Sequence, residues 1–227
     1  GGLEKSRNMI TIRVAQYVGM DSVSEFAKRF GVKDNLEPHL ANSLGSAETT
    51  LLRLASGYAI FDNGGRKVTP TLIDRVQDRR GKTVYRHDER NCAACGDRIA
   101  WNPGVQVPEV QDTAEQVIDQ GIAYQMTEML EGVVQRGTAT SLKELGTPLA
   151  GKTGTTNESR DTWFVGYSPD LVAGVFVGFD EPRTLGEKET GASAALPIFK
   201  SFMADALKDQ PPVPFRIPPD VRLVKVN

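Results

Sequence analysis

Ser6-Arg7-Asn8 sets a hydroxyl and a carboxamide two residues apart, and Lys152-Thr153-Gly154-Thr155-Thr156 sets an ammonium group beside three hydroxyls and a glycine. A serine hydroxyl is a poor nucleophile until a neighbouring base takes its proton. A lysine serves as that base only where burial or nearby positive charge pulls its pKa down. If residues 152–156 form a strand, side chains alternate, so that Lys152 and Gly154 face one way and Thr153 and Thr155 the other. Gly154 then lets the sheet edge approach a reacting group without a Cβ in the way. An edge strand can also pair with an extended peptide. Each residue has a plain structural role as well: Ser6 as a helix N-cap, Lys152 as a charge that blunts a sheet edge, Gly154 as a bulge. A bare Lys-Thr-Gly arises by chance in roughly one chain in twenty of this length, so neither pattern decides alone.

Composition removes several other chemistries. Lys plus Arg is 27 against 29 Asp plus Glu, a net charge of −2, which leaves no basic footprint for nucleic acid. The chain holds two cysteines and two histidines, so a four-ligand zinc would have to recruit nearly all of them, and no metal is expected. A Ser-His-Asp triad would rest on His39 or His87, both in polar, loop-like contexts, so the base of an enzyme here is not expected to be histidine. Hydrophobic residues at 39% and charged residues at 25% are the balance of a globular chain. No apolar run approaches the ~18 residues of a membrane helix. The chain opens Gly1-Gly2 without a Met or a signal peptide, and is expected to be a piece of something longer.

The elements that must position these groups can be read from spacing. Ile10, Val14 and Val18 fall on one helical face. Ser22-x-x-Glu25 has the form of a capping box ahead of Val23, Phe26, Ala27 and Phe30, with Gly31 as a stop. Ser46 is the predicted cap of a third helix through Leu51, Leu54, Tyr58 and Ala59, ended by Asn63-Gly64-Gly65. Leu72–Asp78 and Lys82–Arg86 read as two short strands, and residues 91–116 as a long loop or small insertion. Ile122, Met126, Met129, Leu130, Val133 and Val134 define an amphipathic helix that stops near Gly137. Three strands follow, Leu149–Thr156, Thr162–Ser168 and Leu171–Phe179, the last two joined at Pro169-Asp170. Glycines 166, 174 and 178 point to another element packed closely on that sheet. A helix over Pro197–Leu207, with Ile198, Phe199, Phe202, Met203 and Ala206 on its buried side, precedes a Pro-rich tail. Trp163 and Phe164 are expected in the core.

Order and context give the two patterns their weight. Leu3–Met9, Gly65-Arg66-Lys67-Val68-Thr69-Pro70, Arg136-Gly137-Thr138-Ala139, Lys152–Asn157 and Asp161–Tyr167 occur in the order seen in class A high-molecular-weight penicillin-binding proteins. The chain resembles the C-terminal part of their transpeptidase domain, most of all the 1A type, over nearly all of residues 3–226. The resemblance implies an α+β penicillin-binding/β-lactamase-like serine transpeptidase fold, an antiparallel sheet flanked by helices. It implies a catalytic set of Ser6, Asn8 and Lys152, in which Lys152 helps shuttle a proton through the Ser6 hydroxyl while Asn8 bonds the catalytic lysine and the substrate backbone. Thr153, Gly154, Thr155 and Thr156 become the substrate-binding strand, with the Thr155 N–H in the oxyanion hole and the Thr153 and Thr155 hydroxyls on the donor carboxylate. The implied partners are peptidoglycan stem peptides and β-lactam antibiotics, without a cofactor or nucleic acid. The implied setting is the periplasmic face of the inner membrane, anchored through an upstream region.

The chain departs from the family at one decisive point: it contains no Ser-x-x-Lys. Ser24 to Lys28 is one residue too long and Ser141 to Lys143 one too short. The nucleophile is therefore expected upstream of Gly1, on a segment that becomes a partner of this one. The fold is expected to be incomplete and this chain alone inactive, with exposed faces covered by a neighbour. The organisation read from sequence is residues 1–210 as transpeptidase, with 72–116 as a hairpin or loop insertion, and 211–227 as a Pro-rich tail. Cys92 and Cys95 stand in a polar loop context, and a domain of this family works where a local disulfide persists, so a disulfide or plain surface thiols are expected ahead of redox catalysis or metal binding. D,D-carboxypeptidase, β-lactamase-like hydrolase and a catalytically dead penicillin-fold sensor stay open as alternatives.

Overall fold

The computed structural model describes residues 1–90 and 113–224, so Cys92 and Cys95 and most of the expected loop at 91–116 lie outside the described residues. The helices are α1 (Asn8–Val18), α2 (Met20–Arg29), α3 (Leu51–Asp62), α4 (Gln120–Arg136) and α5 (Leu196–Ala206). The strands are β1 (Arg75–Gln77), β2 (Thr83–Arg86), β3 (Ala150–Thr155), β4 (Thr162–Ser168) and β5 (Leu171–Val177). They fall into two compact units, Gly1–Val68 with Gln116–Asn227, and Thr69–Glu115.

In the smaller unit β1 and β2 pair antiparallel, Arg75 opposite Arg86 and Val76 opposite Tyr85, around a turn in which the Asp78 carboxylate accepts the Arg80 and Lys82 N–H groups. The larger unit carries the sheet β3-β4-β5, all antiparallel. The expected α+β arrangement is the one observed.

Helix starts differ from the sequence reading in two places. Gly19, at φ 91°, both ends α1 and opens α2, so Ser22 lies inside α2 instead of capping it. A glycine reaches that left-handed backbone without the Cβ clash that any serine would meet. Helix α3 is capped by Thr50, whose Oγ1 accepts the Arg53 N–H at 3.2 Å, while Ser46 turns its hydroxyl to Asn42. Helix α4 starts at Asp119, which accepts the Gly121 and Ile122 N–H groups.

The sheet is covered on both faces. Phe164 of β4 packs against Phe199 of α5 with ring centroids 4.6 Å apart, in a cluster with Val133, Leu142, Leu149, Leu196 and Met203. On the opposite face Tyr167 meets Tyr58 of α3 and shares a 2.9 Å hydrogen bond with Thr127 of α4. Full burial of such side chains stabilises by about 1.5–3 kcal/mol each. Gly166 lies under Phe199 and Gly174 under Leu51 of α3, which is the close packing expected of those glycines; Gly178 meets only Asp161 and Phe176. Three expected core positions of α5, Ile198, Phe202 and Ala206, are exposed, because the helix buries only the narrower Leu196, Phe199 and Met203 stripe. Trp163 is half-buried beside Phe176 rather than enclosed. The Pro-rich segment after Gln210 forms no helix or strand among the described residues, and Phe215 sets its ring edge-on against Tyr167.

Met9, Ile10, Val14, Tyr17 and Val18 of α1 are exposed. Between α1, α2 and α3 runs an apolar cavity of about 420 Å³ lined by Val18, Val23, Phe26, Phe30, Leu54 and Phe61.

Candidate functional site

Ser6 stands in a tight turn before α1, closed by the Ser6 N–H on Leu3 O at 3.1 Å and the Arg7 N–H on Gly2 O at 2.9 Å. Its φ is +50°, in the left-handed region that a non-glycine residue adopts at a cost. Ser6 is not a helix cap: Arg7 holds the N-cap position of α1, with no side-chain bond to the helix. That leaves the Ser6 hydroxyl free for a tertiary partner.

The partner is Lys152. Its Nζ donates to Ser6 Oγ at 2.8 Å and to Thr153 O at 2.9 Å, across 146 residues of sequence in the first case. Burial lowers the Lys152 pKa below the ordinary lysine value, because desolvation penalises the ammonium form. Lys152 is thus a half-buried lysine held on a serine, not a solvated charge that blunts the sheet edge. No bulge interrupts β3: the register runs unbroken from Ala150 opposite Tyr167 to Thr155 opposite Thr162. Lys152 and Gly154 share a face with Val165 and Trp163, while Thr153 and Thr155 lie on the Phe164 face. Strand β3 is an edge of the sheet among the described residues.

The remaining candidates are distributed around this pair. Asn8, the first residue of α1, is exposed and makes no side-chain hydrogen bond among the described residues. Thr153 Oγ1 shares a 2.9 Å hydrogen bond with Thr138 Oγ1. Thr155 Oγ1 accepts the Gly191 N–H at 2.9 Å, which fixes its rotamer and leaves the hydroxyl proton to donate. Gly191 sits so close to Gly154 that a Cβ there would meet Gly154 O at 2.6 Å. Thr156 is engaged in the next turn: its Oγ1 accepts the Asp161 N–H at 2.8 Å and its own N–H donates to Asp161 O. Thr138 and Gly191 are site neighbours that residue-type reasoning passed over. Thr138 carried a signal, in the Arg136-Gly137-Thr138-Ala139 run; Gly191 had none in sequence.

The Lys152–Ser6 hydrogen bond, the hydroxyl-bearing edge strand and the exposed Ser6–Asn8 turn bring a lysine, several hydroxyls and a carboxamide to one place. Residues 1–204 match the family described as "Penicillin binding protein transpeptidase domain". The chain is 46% identical to penicillin-binding protein 1A of Rickettsia bellii over its full length, and 39% identical to penicillin-binding protein 1A of Pseudomonas aeruginosa over 99% of it. It spans 29% and 31% of those two relatives. Among solved structures, penicillin-binding protein 1A from Haemophilus influenzae superimposes with a TM-score of 0.81 at 34% identity, covering 96% of this chain and 35% of that one. The penicillin-binding protein PonA1 of Mycobacterium tuberculosis shares the fold, with a TM-score of 0.73 at 23% identity, over 100% of this chain and 62% of that one.

Proposed function

The chain belongs to the penicillin-binding protein transpeptidase domain family, and from that premise we propose that it forms the Ser-x-Asn and Lys-Thr-Gly portion of a serine-type D,D-transpeptidase that cross-links peptidoglycan. The observation that carries this reading is the 2.8 Å hydrogen bond from Lys152 Nζ to Ser6 Oγ.

In this reading a serine from outside the chain attacks the carbonyl of the penultimate D-alanine of a stem peptide. An acyl ester forms, the C–N bond to the terminal D-alanine breaks, and the leaving amine takes a proton. Ser6 Oγ, hydrogen-bonded to a lysine whose pKa is lowered by burial, is a route for that proton. The Thr155 N–H stabilises the oxyanion, and the Thr153 and Thr155 hydroxyls hold the terminal carboxylate. Asn8, exposed and without another partner, orients the substrate backbone. An amine of a neighbouring stem then takes the acyl group. A β-lactam is the same acyl donor with its leaving group tethered. The exposed face of α1 and the apolar cavity behind it support a covering segment, the one that carries the nucleophile. No described helix is long and apolar enough to cross a membrane. The reading also includes a membrane anchor in that upstream region and this domain on the periplasmic side.

The test is acylation by a fluorescent penicillin in a form extended upstream to include a Ser-x-x-Lys. Lys152→Ala slows labelling by about 10²–10⁴-fold, the range for loss of a positioned proton-transfer group. Labelling at the unaltered rate would remove Lys152 from the chemistry.

A further inference from the structure

Glu4 is the least exposed charged residue near the site, and nothing in the proposed chemistry uses it: the residue is 7% exposed, two positions before Ser6. Its carboxylate pairs with Arg136 Nη2, at the end of α4. The backbone is tied to the same place, since Glu4 O accepts the Thr138 N–H at 3.2 Å.

Two glycines make room for this arrangement. A Cβ on Gly132 would sit 2.5 Å from Glu4 Oε1, and one on Gly137 would collide with Glu4 O. The last turn of α4 is thus shaped to receive one residue, side chain and carbonyl together. The same turn reaches the other half of the site through the Thr138–Thr153 hydroxyl pair. Helix α4 therefore holds the Ser6 turn through Glu4 and the Lys152 strand through Thr138.

Ser6 keeps a left-handed φ of +50° only while its surroundings over-determine it. The Glu4 anchorage restrains that turn together with the Lys152 bond and the packing of Leu3 against Leu130, Ala150 and Tyr167.

We propose that Glu4 is a positioning residue, clamped by Arg136, Gly132, Gly137 and Thr138, that fixes Ser6 Oγ at hydrogen-bonding distance from Lys152 Nζ. The proposal rests on the acyl-serine reading of the site. Glu4 reaches Ser6 through the backbone, so its loss weakens the acylation step and leaves prior binding of the ligand unchanged.

The experiment measures acylation of the protein extended upstream to include its Ser-x-x-Lys, by a fluorescent penicillin over a range of concentrations, separating the binding constant from the rate at saturation. Glu4→Ala lowers the saturated rate by about 10- to 100-fold, the penalty of an ångström-scale displacement of a reacting group. It leaves the binding constant within about twofold, and Glu4→Gln, which keeps the shape and one acceptor oxygen, recovers most of the rate. Should Glu4→Ala fail to fold, Arg136→Gln decides, since the Arg136 side chain is 64% exposed and its change spares the core. It slows the same step if the clamp positions Ser6. An unchanged saturated rate in a folded variant, or a loss confined to binding, overturns the proposal. Failure of the unaltered protein to acylate overturns the acyl-serine reading, and this proposal with it.

Discussion

The β1–β2 ribbon and the β3–β4–β5 sheet are both antiparallel and both turn through a few polar residues, yet every residue of β1 and β2 is exposed whereas six of the seven in β4 are buried. The ribbon places Arg75 directly opposite Arg86, a like-charge pair tolerable only in water. The larger sheet places Lys152 opposite Val165, with helices on both faces, and there burial shifts the lysine. Strand pairing alone makes a ribbon. Chemistry needs the flanking helices, because only they remove enough water to lower an ammonium group's pKa and to aim it at one hydroxyl.

Mutations in the two sheets should separate them sharply. Phe164→Ala, in the sheet's core, should cost about 3–5 kcal/mol in urea unfolding, by lost transfer energy plus a cavity beside Phe199. A loss under about 1 kcal/mol would mean that the α5 face is loosely packed and does not support β3.

A middle-sized effect comes from Asp62 at the end of α3. Burial, with the Asp170 charge adding to it, pushes its pKa up from 3.8 to about 7, and Oδ1 is buried without a hydrogen-bond partner among the described residues. The folded state therefore binds this proton more tightly than the unfolded chain does. Its contribution is full below about pH 4 and is lost as pH rises through 7. Asp62→Asn should stabilise the protein more at pH 8 than at pH 5. The difference should be about 1–2 kcal/mol, the shift discounted for the solvent that still reaches a half-buried group. Equal effects at both pH values would place Asp62 in water. The smallest effect is expected in the ribbon, where Val84→Ala should change stability by less than about 0.5 kcal/mol.

What could be read from sequence follows the same division. Strand β4 has the bounds expected of it, Thr162–Ser168, and ends at the Pro169-Asp170 turn, which is a local signal. The face assignment of Lys152 against Thr153 also followed from strand period alone. Helix starts were harder: Ser22 and Ser46 carry the right side chain for a cap, but Gly19 breaks the chain earlier and Thr50 sits nearer the apolar run. The left-handed Ser6 leaves no trace in composition. Nor does the Glu4–Arg136 pair, whose partners are 132 residues apart and meet only through tertiary packing. Family resemblance supplied the roles of Ser6, Asn8 and Lys152, while the geometry brings two of the three into contact.

The central claim, that this chain holds half of an acyl-serine site whose nucleophile comes from elsewhere, is tested most directly by intact mass after incubation with a β-lactam. The chain by itself and a form extended upstream are compared under the same conditions. The account predicts one stoichiometric adduct on the extended form and none on the chain alone. An adduct on the chain alone would identify a nucleophilic serine within residues 1–227 and contradict the account.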